Sequence, residues 1–308
     1  MFIVYNILND SIEQLGCIGA DMGPIKLKAR AKINLSLDVI GKRADGYHDV
    51  KMVMQTIKLC DTVTLERVPA GIKVVCSNRR IPSGPGNTAY KAARLLVNNY
   101  NIKGGIKISI DKKIPVAAGL AGGSADAAAV LKGMNRLFSL GLGETELMSI
   151  GKEIGADVPY CIKGGTMLAE GIGEVLTPLG PLACIDIVLI KPKIGVSTAW
   201  VYKNLNLDEI IARPDTGMLV KAISDNNIEV LAKNMVNVLE SVTMRKYDIV
   251  KEAKERLIEL GAIGSMMSGS GPSVFGIFKD KGSAERAYEA AKDDKWECFL
   301  TETTCEES

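Results

Sequence analysis

A single histidine, His48, stands in the 308 residues of this chain. One imidazole cannot build a multi-histidine metal centre or supply a second imidazole base. Cysteine is present but unpatterned: Cys17, Cys60, Cys76, Cys161, Cys184, Cys298 and Cys305 are odd in number and form no C-x-x-C. That excludes a dithiol redox motif or a zinc ribbon. The expectation is reduced, mostly buried thiols in a cytoplasmic protein. Charge of one sign is also lacking, since 38 Lys and Arg face 36 Asp and Glu for a net of +2. So small an excess gives no reason to expect nucleic acid or a membrane surface as a general partner. No apolar run is long enough to span a bilayer. The first twenty-odd residues lack the basic start and apolar core of a secretory signal.

The common nucleotide motifs are missing too. Gly41-Lys42 is followed by Arg43 and Gly151-Lys152 by Glu153, so there is no G-x-x-x-x-G-K-[ST] loop. No G-x-G-x-x-G occurs, which weakens a dinucleotide reading. There is no D-F-G, and His48 is not in an H-R-D, so the protein-kinase set is absent.

What is present is a glycine-rich loop that runs into an amphipathic helix, IPVAAGLAGGSADAAAVLKGMN, from Ile114 to Asn135. Gly119, Gly122 and Gly123 permit tight turns and close approach of backbone amides to a ligand. Ser124 is expected at the N-cap. Ala127, Val130, Leu131, Met134, Leu137 and Phe138 repeat at helical spacing. Free amides at a helix start, with the positive end of its dipole, seat phosphate. On glycine content alone an ordinary strand-to-helix turn reads equally well.

Around this loop the patterning is that of a globular α+β chain in two lobes. From Leu27 to Val39 every odd residue is apolar and every even one polar, which predicts a long half-buried strand with a wet polar face. Further strands are expected over 52–65, around Ile72–Cys76 and Ile106–Ile110, over 166–177 and 185–190, and as a late pair over 273–278 and 297–301. Helices are expected over 87–100, 144–154, 215–224, 228–242, 247–260 and 283–293. Residues 1–24 read as an upstream start or a loosely held tail, because Met22 stands just before the first strand. The N-terminal domain is placed at 25–175 and the C-terminal domain at 176–308.

Three separated segments carry a resemblance: KARAKIN at Lys28–Asn34, the loop at Pro115–Ala127, and MMSGSGPSVFGIF at Met266–Phe278. In this order and spacing they resemble the GHMP kinase superfamily. The segment AKINLSLDVIGKRADGYHDV is similar to the branch that acts on a cytidine diphosphate-linked methylerythritol, a small-molecule substrate of the non-mevalonate isoprenoid pathway. The resemblance implies a two-lobed fold, with ATP and substrate in the cleft between lobes, and Mg²⁺ as the accompanying ion. No dedicated protein cage for that ion is readable, and a monomer and a homodimer are both compatible.

The resemblance implies roles residue by residue. Lys32 and Asp157 match the catalytic pair, Asp157 as general base and Lys32 as the charge that steadies the transferring phosphoryl. On position alone, Lys32 is a solvated charge on a strand and Asp157 a turn residue before Pro159. The ATP loop comprises Pro115, Val116, Ala117, Ala118, Gly119, Leu120, Ala121, Gly122, Gly123, Ser124, Ala125 and Asp126. Relatives often carry glycine where this chain has Ala117, Ala118 and Ala121, and alanine demands a φ that accepts a Cβ. Asn87 is expected near adenine, or simply as a helix cap. For the alcohol substrate, Asn34 matches a position near the reacting hydroxyl. Tyr47 and His48 match a cytosine pocket, with Tyr202 as the opposite wall. Lys113 is expected to reach nucleotide or substrate unless it is a plain solvated lysine. Ser270 and Gly271 belong to a late loop expected to close over the substrate diphosphate, or to a plain hairpin. A different GHMP kinase, such as homoserine or mevalonate kinase, and a non-catalytic ligand-binding protein of the same fold are the alternatives.

Overall fold

The computed structural model describes residues 23–304, so the expectation for the leading tail falls outside the described residues except at its end. Two sheets organise the chain. The first contains β1 (Ile25–Lys42), β2 (His48–Val68), β3 (Gly71–Cys76), β4 (Gly105–Asp111), β5 (Thr166–Glu170) and β6 (Val175–Pro178). Its order is β3-β4-β2-β5-β6, with β1 along the other side of β2. The long β2 serves two partners on one edge: Thr62–Val68 pair with β4, and Met52–Gln55 pair with β5. Only β3 and β4 run parallel. The second sheet has the order β10-β7-β9-β8, from β7 (Asp186–Pro192), β8 (Gly264–Met267), β9 (Val274–Phe278) and β10 (Trp296–Glu302). The architecture is the α+β, two-lobed one expected.

Helices α1 (Thr88–Asn99), α2 (Gly122–Leu137), α3 (Glu144–Ile154) and α4 (Val158–Lys163) accompany the first sheet. Helices α5 (Thr198–Lys203), α6 (Thr216–Ser224), α7 (Ile228–Lys233), α8 (Glu240–Lys246), α9 (Asp248–Glu259) and α10 (Lys281–Ala291) accompany the second. The run IVLI in β7, Ile187–Ile190, is apolar at successive positions because both faces of this strand are covered. Ile187 and Leu189 enter one core, Val188 and Ile190 the other.

Several expectations are corrected. Residues 166–177 form two strands joined by a turn, and 228–242 form two short helices. The late strands at 274–278 and 296–302 do not pair with each other, because β7 lies between them. The polar side of β1 is wet only at its start, where Lys28 is exposed and Arg30 half-buried. Beyond it the polar side chains are buried, and a register shift between Asn34 and Ser36 turns Ser36 and Asp38 off the face that Lys32 and Asn34 share. Lys32, Asn34, Ser36 and Asp38 are 5%, 0%, 0% and 8% exposed. The edge of β1 away from β2 is bonded by distant chain: Leu120 accepts from the Lys32 amide, and Leu37 exchanges backbone hydrogen bonds with Val236 and Val238. Cys60, Cys76, Cys161 and Cys298 are free and half-buried, whereas Cys184 is disulfide-bonded, which departs from seven reduced thiols. No helix among the described residues is long and apolar enough to cross a membrane.

Candidate active site

The covered face of β1 forms one wall of a cleft of about 1160 Å³. At its centre Lys32 extends from the strand, and its Nζ donates to Asn34 Oδ1 at 2.8 Å. The two side chains share a face because they are two residues apart on a strand. Asp157 enters from the first-sheet helices, at the residue just before α4. Its carboxylate caps no helix amide and makes no ion pair with Lys32; both side chains nonetheless line the cleft. Their fields meet at Cys161, one turn into α4. Burial pushes that thiol up, Asp157 adds to the rise, and Lys32 opposes it.

The loop between β4 and α2 forms a second wall. Ser124 is not the N-cap expected. Helix α2 begins at Gly122, behind Ala121, which caps with no side-chain hydrogen bond. Ser124 is thus the third helical residue. The first-turn amides therefore face the cleft without a capping oxygen, the condition under which a helix start accepts an anion. The alanine question resolves against easy accommodation at two positions: Ala117 and Ala121 have φ of 51° and 56°, in the left-handed region that strains a Cβ. Ala121→Gly is expected to raise stability by about 0.5–1 kcal/mol, read as a higher midpoint in urea with an unchanged slope.

Gly119 is required twice over. Its φ is 74°, and a Cβ there would stand 2.1 Å from the Ser268 carbonyl oxygen. Ser268 Oγ also donates to the Gly119 carbonyl at 3.0 Å. The late loop of the second lobe is therefore packed directly on the glycine-rich loop. Asn237 Nδ2 fixes it further through Met267 O at 2.8 Å and Gly269 O at 2.7 Å. Ser270 Oγ shares a 2.8 Å hydrogen bond with Thr198 Oγ1.

The far end of the cleft is aromatic. Tyr47, His48 and Tyr202 line it, and the rings of His48 and Tyr202 lie 5.2 Å apart at 43°. Partial burial, then the Lys42 cation, holds the His48 imidazole below its ordinary value, which favours the neutral ring. Burial, then the Asp157 carboxylate, pushes the Tyr202 phenol up.

Under the glycine-rich loop lies a buried charge cluster that joins Asp126 to two residues sequence reasoning missed, Lys112 and Asp61. Lys112 Nζ pairs with Asp61 and, at 2.7 Å, with Asp126 Oδ2. Asp61 Oδ1 accepts the amides of Lys113 at 2.6 Å and Ile114 at 2.8 Å. The cluster thus ties down both ends of the loop. Lys112, not Lys113, lines the cleft. The alternation could have found it: Ile106, Ile108 and Ile110 face inward, and 112 continues that parity. Asp126 Oδ1 is buried without a partner. Burial raises this carboxyl to about 7, with Lys112 opposing and Asp61 adding to the rise. A folded-state value above the unfolded one gives stability that is present at low pH and lost as pH rises toward 7. Asp126→Asn does not titrate there, so its melting temperature relative to the parent is expected to improve between about pH 4 and pH 7 and to level off above.

Of the remaining residues singled out from sequence, Asn87 lines the cleft but is committed to structure. Its Oδ1 caps Ala89 N at 2.8 Å and its Nδ2 donates to Pro82 O at 2.8 Å. Ala125 and Gly271 do not line the cleft. Lys42, Arg80, Lys203 and Thr198 do; Lys42 lies in the quoted AKINLSLDVIGKRADGYHDV segment, and no local motif signals the other three. Counting side chains in the wall, Lys32, Lys42, Arg80, Lys112 and Lys203 oppose Asp126 and Asp157. With Lys112 and Asp126 neutralised inside their own cluster with Asp61, Lys32, Lys42, Arg80 and Lys203 against Asp157 make a basin for polyanions.

Comparison with known proteins agrees with this geometry. The model of the GHMP kinases N terminal domain matches residues 87–165, and that of the GHMP kinases C terminal domain matches residues 219–297. The chain is 62% identical over 282 residues to the 4-diphosphocytidyl-2-C-methyl-D-erythritol kinase of Acetivibrio thermocellus, covering 92% of this chain and 100% of that one. It is 53% identical to the protein of the same name from Clostridium botulinum (strain Alaska E43 / Type E3), covering 90% and 99%. A crystal structure of 4-(cytidine 5'-diphospho)-2C-methyl-D-erythritol kinase superposes with a TM-score of 0.79 at 31% identity, over 91% of this chain and 99% of the other. The homoserine kinase of Cytophaga hutchinsonii superposes at 0.76 with 21% identity, over 94% and 96%, a likeness of fold. The chain belongs to the GHMP kinase family, among its 4-diphosphocytidyl-2-C-methyl-D-erythritol kinases.

Proposed function

We propose that this chain transfers the γ-phosphoryl of ATP to the 2-hydroxyl of 4-diphosphocytidyl-2-C-methyl-D-erythritol. The products are the 2-phosphate and ADP, a step of the non-mevalonate route to isoprenoid precursors. Asp157 orients the hydroxyl and accepts its proton. Lys32 stabilises the charge on the transferring phosphoryl. The uncapped amides from Gly122 to Ser124 hold the triphosphate. Neutral His48 presents its ring nitrogens to the cytosine edge, with Tyr47 and Tyr202 as flat surfaces for the base.

The observation that carries this reading is the convergence of three features in one cleft: Lys32, Asp157 and a helix start with no side-chain cap. Among the described residues no group of three His, Cys, Asp or Glu converges as a metal cage. Mg²⁺ therefore fits as an ion carried by the phosphates, where it neutralises their charge. Ser124 and the unpartnered Asp126 Oδ1 are the groups of this chain that would meet it.

The test supplies Mg-ATP with diphosphocytidyl-methylerythritol, mevalonate or homoserine and follows ADP release. Turnover is expected with the cytidylated alcohol alone. His48→Ala is expected to raise KM for that alcohol at least about tenfold, the scale of a lost base-edge hydrogen bond, and to leave KM for ATP within about twofold. Equal effects on both constants would make His48 a structural residue.

A further inference from the structure

Lys32 and Asp157 come from different elements, β1 and the start of α4, and do not bond to each other. Something else must fix their relative position. Lys32 lies opposite Thr56 in the antiparallel β1–β2 ladder, so the two side chains project on the same face. Thr56 Oγ1 is 3.0 Å from Tyr160 Oη, and Tyr160 follows Asp157 by three residues. Tyr160 Oη in turn donates to the Gly165 carbonyl at 2.7 Å, and the Gly165 amide donates to Thr56 Oγ1 at 3.0 Å. Because the single Tyr160 proton goes to Gly165, Thr56 must donate to Tyr160. The three groups then form a closed ring in which every proton is used once.

The ring sits out of water: Tyr160 is 1% and Thr56 4% exposed. It extends through Gln55, whose Oε1 accepts from Thr166 Oγ1 at 2.6 Å and whose Nε2 donates to Thr304 O at 3.2 Å. A satisfied buried network of this kind rigidifies what it joins. Helix α4 needs such an anchor, for it spans six residues and so short a helix does not hold itself.

We propose that Thr56 and Tyr160 are positioning residues for phosphoryl transfer: their hydrogen bond sets the register between the strand that carries Lys32 and the helix that carries Asp157. This rests on the reading of Lys32 and Asp157 as the reacting pair. Neither Thr56 nor Tyr160 lines the cleft, so neither touches substrate. A displacement on the order of 1 Å between reacting groups costs about a hundredfold in rate.

Tyr160→Phe, Thr56→Val, Thr56→Ser and Asp157→Asn are compared in the whole chain, with kcat, both KM values and the stoichiometry of ATP binding measured well below each melting temperature. Tyr160→Phe and Thr56→Val are expected to lower kcat by about ten- to a hundredfold, with one ATP still bound per chain and both KM values within about twofold. Thr56→Ser, which keeps the hydroxyl, is expected to retain kcat within about twofold. The double variant Thr56→Val/Tyr160→Phe is expected to be no slower than the worse single one. Unchanged kcat in Tyr160→Phe beside an inactive Asp157→Asn overturns the positioning role and leaves the reacting pair standing. Activity in Asp157→Asn overturns the pair itself. A rate loss matched by lost ATP stoichiometry reduces the ring to a stability element and overturns the proposal. If Tyr160→Phe does not fold, the contrast between Thr56→Val and Thr56→Ser decides, and equal rates in those two refute it.

Discussion

Asp157→Asn is expected to lower kcat by about 10²–10⁴-fold, the range that general-base catalysis supplies, and to leave the fold intact. The structural half of this expectation follows from what Asp157 does not do. Its carboxylate caps no amide of α4 and belongs to no salt bridge within the described residues. It is only half-buried. Removing the charge therefore orphans no donor, and the melting temperature should stay within about 2 °C of the parent. The functional half follows from where the group points. Cys161, Tyr160 and Tyr202 all feel the Asp157 charge as a rise in their own values, which places it between the α4 wall and the aromatic end of the cleft. Steady-state kinetics beside thermal melts followed by circular dichroism test both halves. A variant that keeps near-parental kcat takes the proton-accepting role away from Asp157.

The elements that position this site were legible in sequence where a period ran long enough to speak. The alternation over Leu27–Val39 predicts β1, and Glu144–Ile154 reads as the helix observed. Failures cluster where long-range contacts override a local pattern. Alternation says that one face of β1 is polar, and polar implies wet for a solvated sheet. Here Lys32 and Asn34 face the cleft, and the edge of β1 is bonded by Leu120 and by Val236–Val238, partners more than 80 and about 200 residues away along the chain. Nothing local distinguishes a polar residue that faces water from one that faces a ligand.

Short elements failed for a different reason. Strand β8 spans four residues, all buried, so it offers no alternation to detect. The break in 166–177 was marked by Gly171 and Gly173, with φ of 69° and 111°, a turn signal outweighed by the apolar residues on either side. The break in 228–242 has a tertiary cause, because Asn237 leaves helical geometry to bind the carbonyls of Met267 and Gly269. Ser124 misled because serine is the usual cap, whereas here Ala121 turns the chain into the helix at positive φ. A side-chain cap would occupy the very donors that a phosphate needs, so the departure from capping preference marks the site.

Lys32→Met should separate stability from catalysis most sharply. Lys32 is 5% exposed, and its ammonium donates to no carboxylate within 4 Å among the described residues and makes one side-chain hydrogen bond, to Asn34 Oδ1 at 2.8 Å. Holding a cation out of water without an ion pair costs free energy in the folded protein. Methionine keeps the unbranched length and removes that cost, while Asn34 retains its own donation to Met52 Sδ at 3.2 Å. The expectation is a melting temperature equal to or above that of the parent. The same substitution deletes the charge opposite the transferring phosphoryl, so kcat should fall by about 10²–10³-fold, the loss seen when one preorganised donor is removed from a developing oxyanion. Substrate KM values should change far less, because Lys42, Arg80 and Lys203 still line the cleft and draw anions to it. A variant both less stable and fully active would mean that Lys32 is a packing residue. The combination of undiminished stability and lost turnover is the signature of a residue kept for its chemistry against the preference of the fold.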